Sequence, residues 1–143
     1  MGSYLQQMID GLIDRLKISE GFRDRLYQDT LGIDTIGFGF AIKDLVLSEE
    51  ISEQILKEKV ELLITVMNGK FDWFKSMPPE VQSVCVEMAY QLGVRGFSKF
   101  KKAIAHMKEK EFQHAADEML DSLWAKQTPN RARMLSEIVR EHG

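Results

Sequence analysis

The 143-residue sequence has few of the features that define several large protein classes. Its single cysteine, Cys85, cannot form an internal disulfide, which excludes a disulfide-stabilised scaffold and fits synthesis in a reducing compartment. No apolar stretch approaches the ~20 residues that a membrane-spanning helix needs. The first residues contain neither the basic nor the apolar region of a signal peptide. We therefore expect synthesis in the cytoplasm, without a visible signal peptide and without stable membrane insertion.

An excess of charge of one sign is also absent. The 19 Lys and Arg nearly balance the 22 Asp and Glu, and the formal net charge of −3 does not supply the basic face that a nucleic-acid binder requires. The three histidines show no ligand spacing with cysteine or acidic residues, and no glycine-rich phosphate loop is present. We therefore expect no metal, no cofactor and no nucleic-acid partner.

What remains is the composition of an ordinary globular protein, with 44% hydrophobic and 29% charged residues. The length suits one domain, residues 1–143. Hydrophobic spacing predicts a helix from Tyr4 to Glu20, and Ser48 is placed to cap a long helix that ends near Met67. Between them, β-branched and glycine-rich segments predict a hairpin with strands Arg25–Gln28 and Thr35–Phe38.

The rest of the sequence predicts only helices. One begins at Pro78-Pro79 and ends at Gly93, and the last begins with Thr128 as N-cap and Pro129 at its first position. The resulting fold class is α+β. A small hairpin lobe (about 20–47) is joined by a linking helix (48–68) to a helical lobe (1–19 and 69–143). Cys85 is expected in the core.

Three side chains around the predicted hairpin have the chemistry that glycosidic-bond hydrolysis requires. Glu20 ends the first helix, Asp29 lies at the turn, and Thr35 begins the second strand. One carboxyl group could protonate the leaving oxygen while the other activates water. Each residue also has a purely structural interpretation: a solvated helix-end Glu, an Asp that caps its own turn, and a β-branched strand residue.

The surrounding motifs distinguish between these interpretations. Residues 27–39 match Y-x-D-T-x-G-x-x-T-I-G-x-G, residues 90–93 read Tyr-Gln-Leu-Gly, and residues 124–131 match W-x-x-Q-T-P-N-R. In this order and spacing they resemble the phage-type lysozymes of glycoside hydrolase family 24, the family of bacteriophage T4 lysozyme. The resemblance implies a lysozyme-like fold and a monomeric endolysin. Such an enzyme is made in an infected or lysogenic bacterium and acts on the cell wall after release.

The same resemblance assigns roles to individual residues. It implies a muramidase that cleaves the β-1,4 bond between N-acetylmuramic acid and N-acetylglucosamine in peptidoglycan, with inversion. Glu20 would be the general acid, Asp29 the carboxylate that activates water, and Thr35 the hydroxyl that helps hold this water. The resemblance further implies that Arg131 pairs with Glu20. Two more residues, Tyr90 and Gln91, would line the sugar groove, although a core residue and an exposed amide are their structural alternatives.

The sequence also departs from the family pattern. Phe40 stands where the family commonly has His, Lys59 stands where it often has Asp, and the segment from Phe40 to Leu47 is short. A catalytically silent module that binds glycan or another protein therefore remains the alternative function.

Overall fold

The computed structural model describes residues 2–142 and confirms the α+β class. Seven α-helices and three short strands occur in these residues. In chain order the elements are α1 (Ser3–Glu20), β1 (Arg23–Gln28), β2 (Asp34–Gly37), β3 (Phe40–Ala41), α2 (Glu49–Lys70), α3 (Pro79–Ser98), α4 (Lys101–Lys108), α5 (Phe112–Leu120), α6 (Leu123–Gln127) and α7 (Pro129–Arg140). Two 3-10 turns, Ile42–Asp44 and Phe74–Ser76, lie between them.

Contacts divide the chain into two compact units, Met1–Ile51 and Ser52–Gly143. The first contains α1 and the sheet. Only Gly21 and Phe22 separate α1 from β1, and α1 side chains share a pocket with the sheet region. The predicted lobes, in which residues 1–19 belong with the helical part, stay a prediction. That residues 1–143 form a single domain stays a prediction.

The sheet is antiparallel in the order β1-β2-β3. The predicted hairpin corresponds to β1 and β2, which pair Tyr27 with Thr35 and are slightly shifted from their predicted bounds. The third strand was not predicted. It has only two residues, too few for an alternating pattern, and it forms because the turn at Gly39 brings Phe40 back beside Ile36.

The second unit contains the hydrophobic core. Buried side chains such as Met67, Phe74, Val81, Met88 and Leu135 bring α2, α3 and α7 together. Complete burial of a side chain of this size contributes ~1.5–3 kcal/mol. Within residues 2–51, by contrast, Thr35 is the one fully buried residue. The packing that stabilises the fold is therefore concentrated in the helical unit.

Several predicted helix ends are confirmed. The Ser48 hydroxyl accepts the Ile51 N–H at 3.1 Å and caps α2. Gly93 interrupts α3 with a non-helical φ of 79°, although a further helical segment continues to Ser98. Thr128 is the N-cap residue of α7 and Pro129 its first residue, as predicted, but the Thr128 side chain forms no capping hydrogen bond. Its hydroxyl donates to the Trp124 carbonyl oxygen at 3.0 Å, because α6, which was not predicted, ends directly before it.

Candidate active site

Glu20 is the last residue of α1, and its side chain is exposed. It lines a pocket of about 270 Å³ within the first unit, together with side chains of α1 and two phenylalanines of the sheet region: Ile13, Leu16, Lys17, Phe38 and Phe40. The helix ends because Gly21 has a φ of 70° and donates its N–H to the Lys17 carbonyl oxygen at 2.9 Å. A carboxylate at a helix C-terminus is not stabilised by the helix dipole. Apart from Lys17, the side chains that line the pocket around this carboxyl group are apolar.

Asp29 is half-buried in the turn after β1. Its Oδ1 accepts two backbone hydrogen bonds, from the Leu31 N–H at 2.8 Å and from the Ile33 N–H at 2.9 Å. Such bonds stabilise the negative charge and fix the orientation of the carboxylate. Within residues 2–142, no protein donor reaches Oδ2. One carboxylate oxygen of Asp29 therefore stabilises the turn, as the structural interpretation expects, and the other is available to water.

Thr35 lies on β2 and is only 3% exposed. Its hydroxyl donates to the Ile33 carbonyl oxygen at 2.8 Å, which leaves the hydroxyl oxygen free to accept a hydrogen bond. Ile33 therefore joins the two candidate residues, because its N–H donates to Asp29 and its carbonyl oxygen accepts from Thr35. The sequence pattern gave no signal for this role of Ile33, because the role belongs to its backbone.

The candidate residues of the helical unit have partners of their own. Arg131 on α7 donates from Nε to Glu87 Oε2 on α3 at 2.8 Å. Glu87 was missed by the sequence analysis, because nothing in the local pattern links two residues 44 positions apart. The predicted pairing of Arg131 with Glu20 stays a prediction.

Glu87 and Arg131 line a pocket of about 470 Å³ with Tyr90, whose side chain is about half exposed. Apolar side chains of α2 and α3, including Val60 and Val86, line the same pocket. Tyr90 thus presents an accessible aromatic ring beside an ion pair, an arrangement that suits contact with a sugar. Its predicted role in the groove nevertheless stays a prediction.

The side chain of Gln91, unlike that of Tyr90, forms a hydrogen bond with a core residue. Its Oε1 accepts the indole N–H of Trp124 at 2.9 Å, and Trp124 is 4% exposed. The amide therefore satisfies a buried donor, which explains why an amide follows the aromatic residue at the end of this part of α3. Its two N–H donors remain for a ligand. Trp124 belongs to the core.

The structure brings some candidate residues together and leaves others apart. Within the first unit, Asp29 and Thr35 are linked through Ile33, but neither lines the Glu20 pocket. Within the second unit, Tyr90 and Arg131 share a pocket that Gln91 does not line. The predicted distance between the two catalytic carboxyl groups stays a prediction.

Cys85 is buried, as predicted, and burial raises the pKa of its thiol to about 12, so the thiol stays protonated at neutral pH. Among residues 2–142, no group of three or more His, Cys, Asp or Glu side chains is arranged to hold a metal ion. In the same part of the chain, no helix has the length and apolarity to cross a membrane.

Comparison with known proteins places these features in a family. The phage lysozyme family model matches residues 17–140, a range that includes Glu20, Asp29 and Arg131. Two similar proteins of Dictyostelium discoideum, probable T4-type lysozymes 1 and 2, are 27% and 29% identical to this chain. Each alignment covers 92% of the chain, and 95% and 94% of the respective relative. The pre-baseplate central spike protein of Enterobacteria phage T4 is 28% identical over 90% of this chain and 27% of its own length. The chain belongs to the phage lysozyme family.

Proposed function

We propose that this protein is a peptidoglycan hydrolase that cleaves the β-1,4 bond between N-acetylmuramic acid and N-acetylglucosamine. Membership of the phage lysozyme family and similarity to proteins named T4-type lysozymes support a lysozyme-like glycan hydrolase. The observation that carries the finer proposal is the difference between the two carboxyl groups. Asp29 is held by two N–H donors with one oxygen left open, whereas Glu20 lies in a mainly apolar pocket.

In this proposal Glu20 is the general acid. Proton transfer to the glycosidic oxygen requires a donor within about 2.6–3.2 Å of it. A saccharide that covers the pocket would exclude water from between Leu16, Phe38 and Phe40, and would leave the carboxyl group facing the sugar. Glu20 is thereby suited to donate a proton to the leaving group when substrate is bound.

Asp29 and Thr35 act on the attacking water. The open oxygen of Asp29, Oδ2, accepts a proton from this water, while the Thr35 hydroxyl oxygen accepts its second hydrogen bond. Because both side chains are fixed through Ile33, they hold the water in one orientation. Direct attack by water inverts the anomeric carbon, and an inverting enzyme needs its two carboxyl groups ~6.5–9.5 Å apart.

The helical unit supplies substrate contacts. Tyr90 offers an exposed ring face to a sugar, Arg131 offers guanidinium donors that Glu87 does not use, and Gln91 offers its amide N–H groups. We further propose that the protein acts as a monomeric phage-type endolysin on the bacterial cell wall, without cofactor or metal.

Purified peptidoglycan and the release of reducing ends provide the test. Glu20→Gln and Asp29→Asn should each lower kcat by at least ~10²-fold, in line with the usual contribution of general acid–base groups. Glu58→Gln, which neutralises an exposed acid on α2, is the matched control and should keep the activity of the unsubstituted protein. NMR of the first product formed should show the α-anomer.

Three outcomes would each contradict a part of the proposal. Equal activity of the unsubstituted protein and Glu20→Gln would show that Glu20 is not the general acid. Peptidoglycan binding without hydrolysis by any of these proteins would instead favour the silent binding module. An initial β-anomer would refute inversion while leaving hydrolysis intact.

A further inference from the structure

Gly39 lies in the turn between β2 and β3 and has a φ of 75°, a backbone conformation that residues other than glycine rarely adopt. A Cβ atom at this position would lie 2.9 Å from Glu20 Cδ and 3.3 Å from Glu20 Cγ, and it would overlap Glu20 Oε2. One α-hydrogen of Gly39 therefore points at the carboxyl group of the proposed general acid. Phe38 and Phe40, which flank Gly39 in the sequence, line the pocket that contains Glu20.

Positive φ alone does not account for this contact. Gly32 has a φ of 77° and Gly21 a φ of 70°, yet a Cβ atom at either position would meet no heavy atom within 4 Å. At Gly37 the neighbour would be the ring of Phe40. Among the glycines of residues 2–142, Gly39 is the one whose missing side chain leaves room for a carboxylate.

We propose that Gly39 is a positioning residue for Glu20. This inference rests on the proposed function, in which Glu20 donates the proton. The backbone of Gly39 forms a seat, meaning the space that a side chain at residue 39 would fill and that the Glu20 carboxyl group occupies within the pocket, and the α-hydrogen adds a weak C–H···O contact. A side chain at residue 39 would occupy this seat.

In Gly39→Ala, the group that would have to move is the side chain of Glu20. The atoms that would overlap with a methyl group belong to the far end of a flexible side chain on the exposed end of α1. Glu20 can rotate away at little energetic cost, so the overlap should displace the acid more than it destabilises the fold. A displacement of ~1 Å can cost ~10²-fold in rate.

A matched pair of alanine variants separates this effect from backbone strain. Gly39→Ala and Gly32→Ala both place a methyl group at positive φ in the same unit, but only the first places it against Glu20. We expect similar falls in melting temperature for both. Gly39→Ala should also lower kcat on purified peptidoglycan by ~10²-fold with little change in KM, at least ~10-fold more than Gly32→Ala. A kcat of Gly39→Ala equal to that of the unsubstituted protein would overturn the proposal.

NMR tests the contact between Gly39 and Glu20 without an activity assay. In isotope-labelled unsubstituted protein, we expect NOE cross-peaks between a Gly39 α-proton and the Glu20 γ-protons. We also expect the Glu20 carboxyl ¹³C shift to change in Gly39→Ala but not in Gly32→Ala. Absence of the cross-peaks overturns the proposal even if Gly39→Ala fails to fold. If the cross-peaks are present but the unsubstituted protein does not hydrolyse peptidoglycan, the proposed function fails while Gly39 remains the residue that positions Glu20.

Discussion

Replacement of the Thr35 hydroxyl tests whether this group acts in catalysis or only in folding. Thr35→Val keeps the shape of a side chain that is 3% exposed, but it removes the hydrogen bond to the Ile33 carbonyl oxygen. That oxygen also accepts the Asp29 N–H at 3.0 Å, so it keeps a partner. The free energy of unfolding should therefore fall by only ~1 kcal/mol, rather than by the larger cost of an unsatisfied buried acceptor.

Thr35→Ser is the matched control. It keeps the hydroxyl and removes one buried methyl group, which should also cost ~1 kcal/mol. The two variants should therefore be similarly stable, and only Thr35→Ser keeps the hydroxyl. If the hydroxyl contributes a hydrogen bond of ~1.4 kcal/mol to the attacking water in the transition state, Thr35→Val should have ~10-fold lower kcat than Thr35→Ser.

The stability assay has to report on the sheet. Both tryptophans, Trp73 and Trp124, lie in the second unit, so their fluorescence follows the helical core and not β2. Amide hydrogen exchange of β2 residues measures the local free energy of opening, and a loss of ~1 kcal/mol should accelerate exchange ~5-fold. Equal kcat values for Thr35→Val and Thr35→Ser, at equal exchange rates, would refute a catalytic role for the hydroxyl.

Three further predictions concern the helical unit. Gln91→Leu leaves the buried Trp124 N–H without its acceptor, so the free energy of unfolding should fall by ~1–3 kcal/mol in urea unfolding followed by tryptophan fluorescence. Gln91→Glu keeps an acceptor oxygen and should lose less stability. Equal losses in the two variants would contradict this prediction. Glu87→Gln should cost no more than ~1 kcal/mol in the same assay, because the ion pair with Arg131 is more than one third exposed; a larger loss would show a stronger pair. Burial raises the pKa of Cys85 from 9.0 to about 12, so below pH 9 both the folded and the unfolded thiol keep their proton. Between pH 9 and 12 only the unfolded thiol ionises, and stability should fall by up to ~4 kcal/mol, a slope that Cys85→Val should lack.

The sequence predicted well those features that depend on neighbouring residues. Helical spacing located α1 to within one residue, and Ser48 and Gly93 act at the helix boundaries for the reasons that their chemistry suggests. Elements with weak local signals were missed. β3 has only two residues, and α6 ends directly before Thr128, so that the Thr128 hydroxyl bonds to the Trp124 carbonyl oxygen instead of capping α7.

Partners that are distant in sequence could not be predicted for the same physical reason. The Arg131–Glu87 ion pair joins residues 44 positions apart, and the Trp124–Gln91 hydrogen bond joins residues 33 positions apart. Both depend on how α3 packs against the C-terminal helices. The motifs indicated that Arg131 and Gln91 matter but not which atoms they contact. A motif preserves residue types, whereas the contacts follow from packing.

The structural and functional interpretations of Asp29 are compatible. A turn residue that used both carboxylate oxygens for its own backbone would have no oxygen left for water, and a free carboxylate would have no fixed orientation. In this turn Oδ1 accepts the two backbone N–H groups, while within residues 2–142 no protein donor reaches Oδ2. The hydrogen bonds that stabilise the turn therefore also orient the open oxygen. Loss of the Ile33 N–H bond should affect water activation as well as folding.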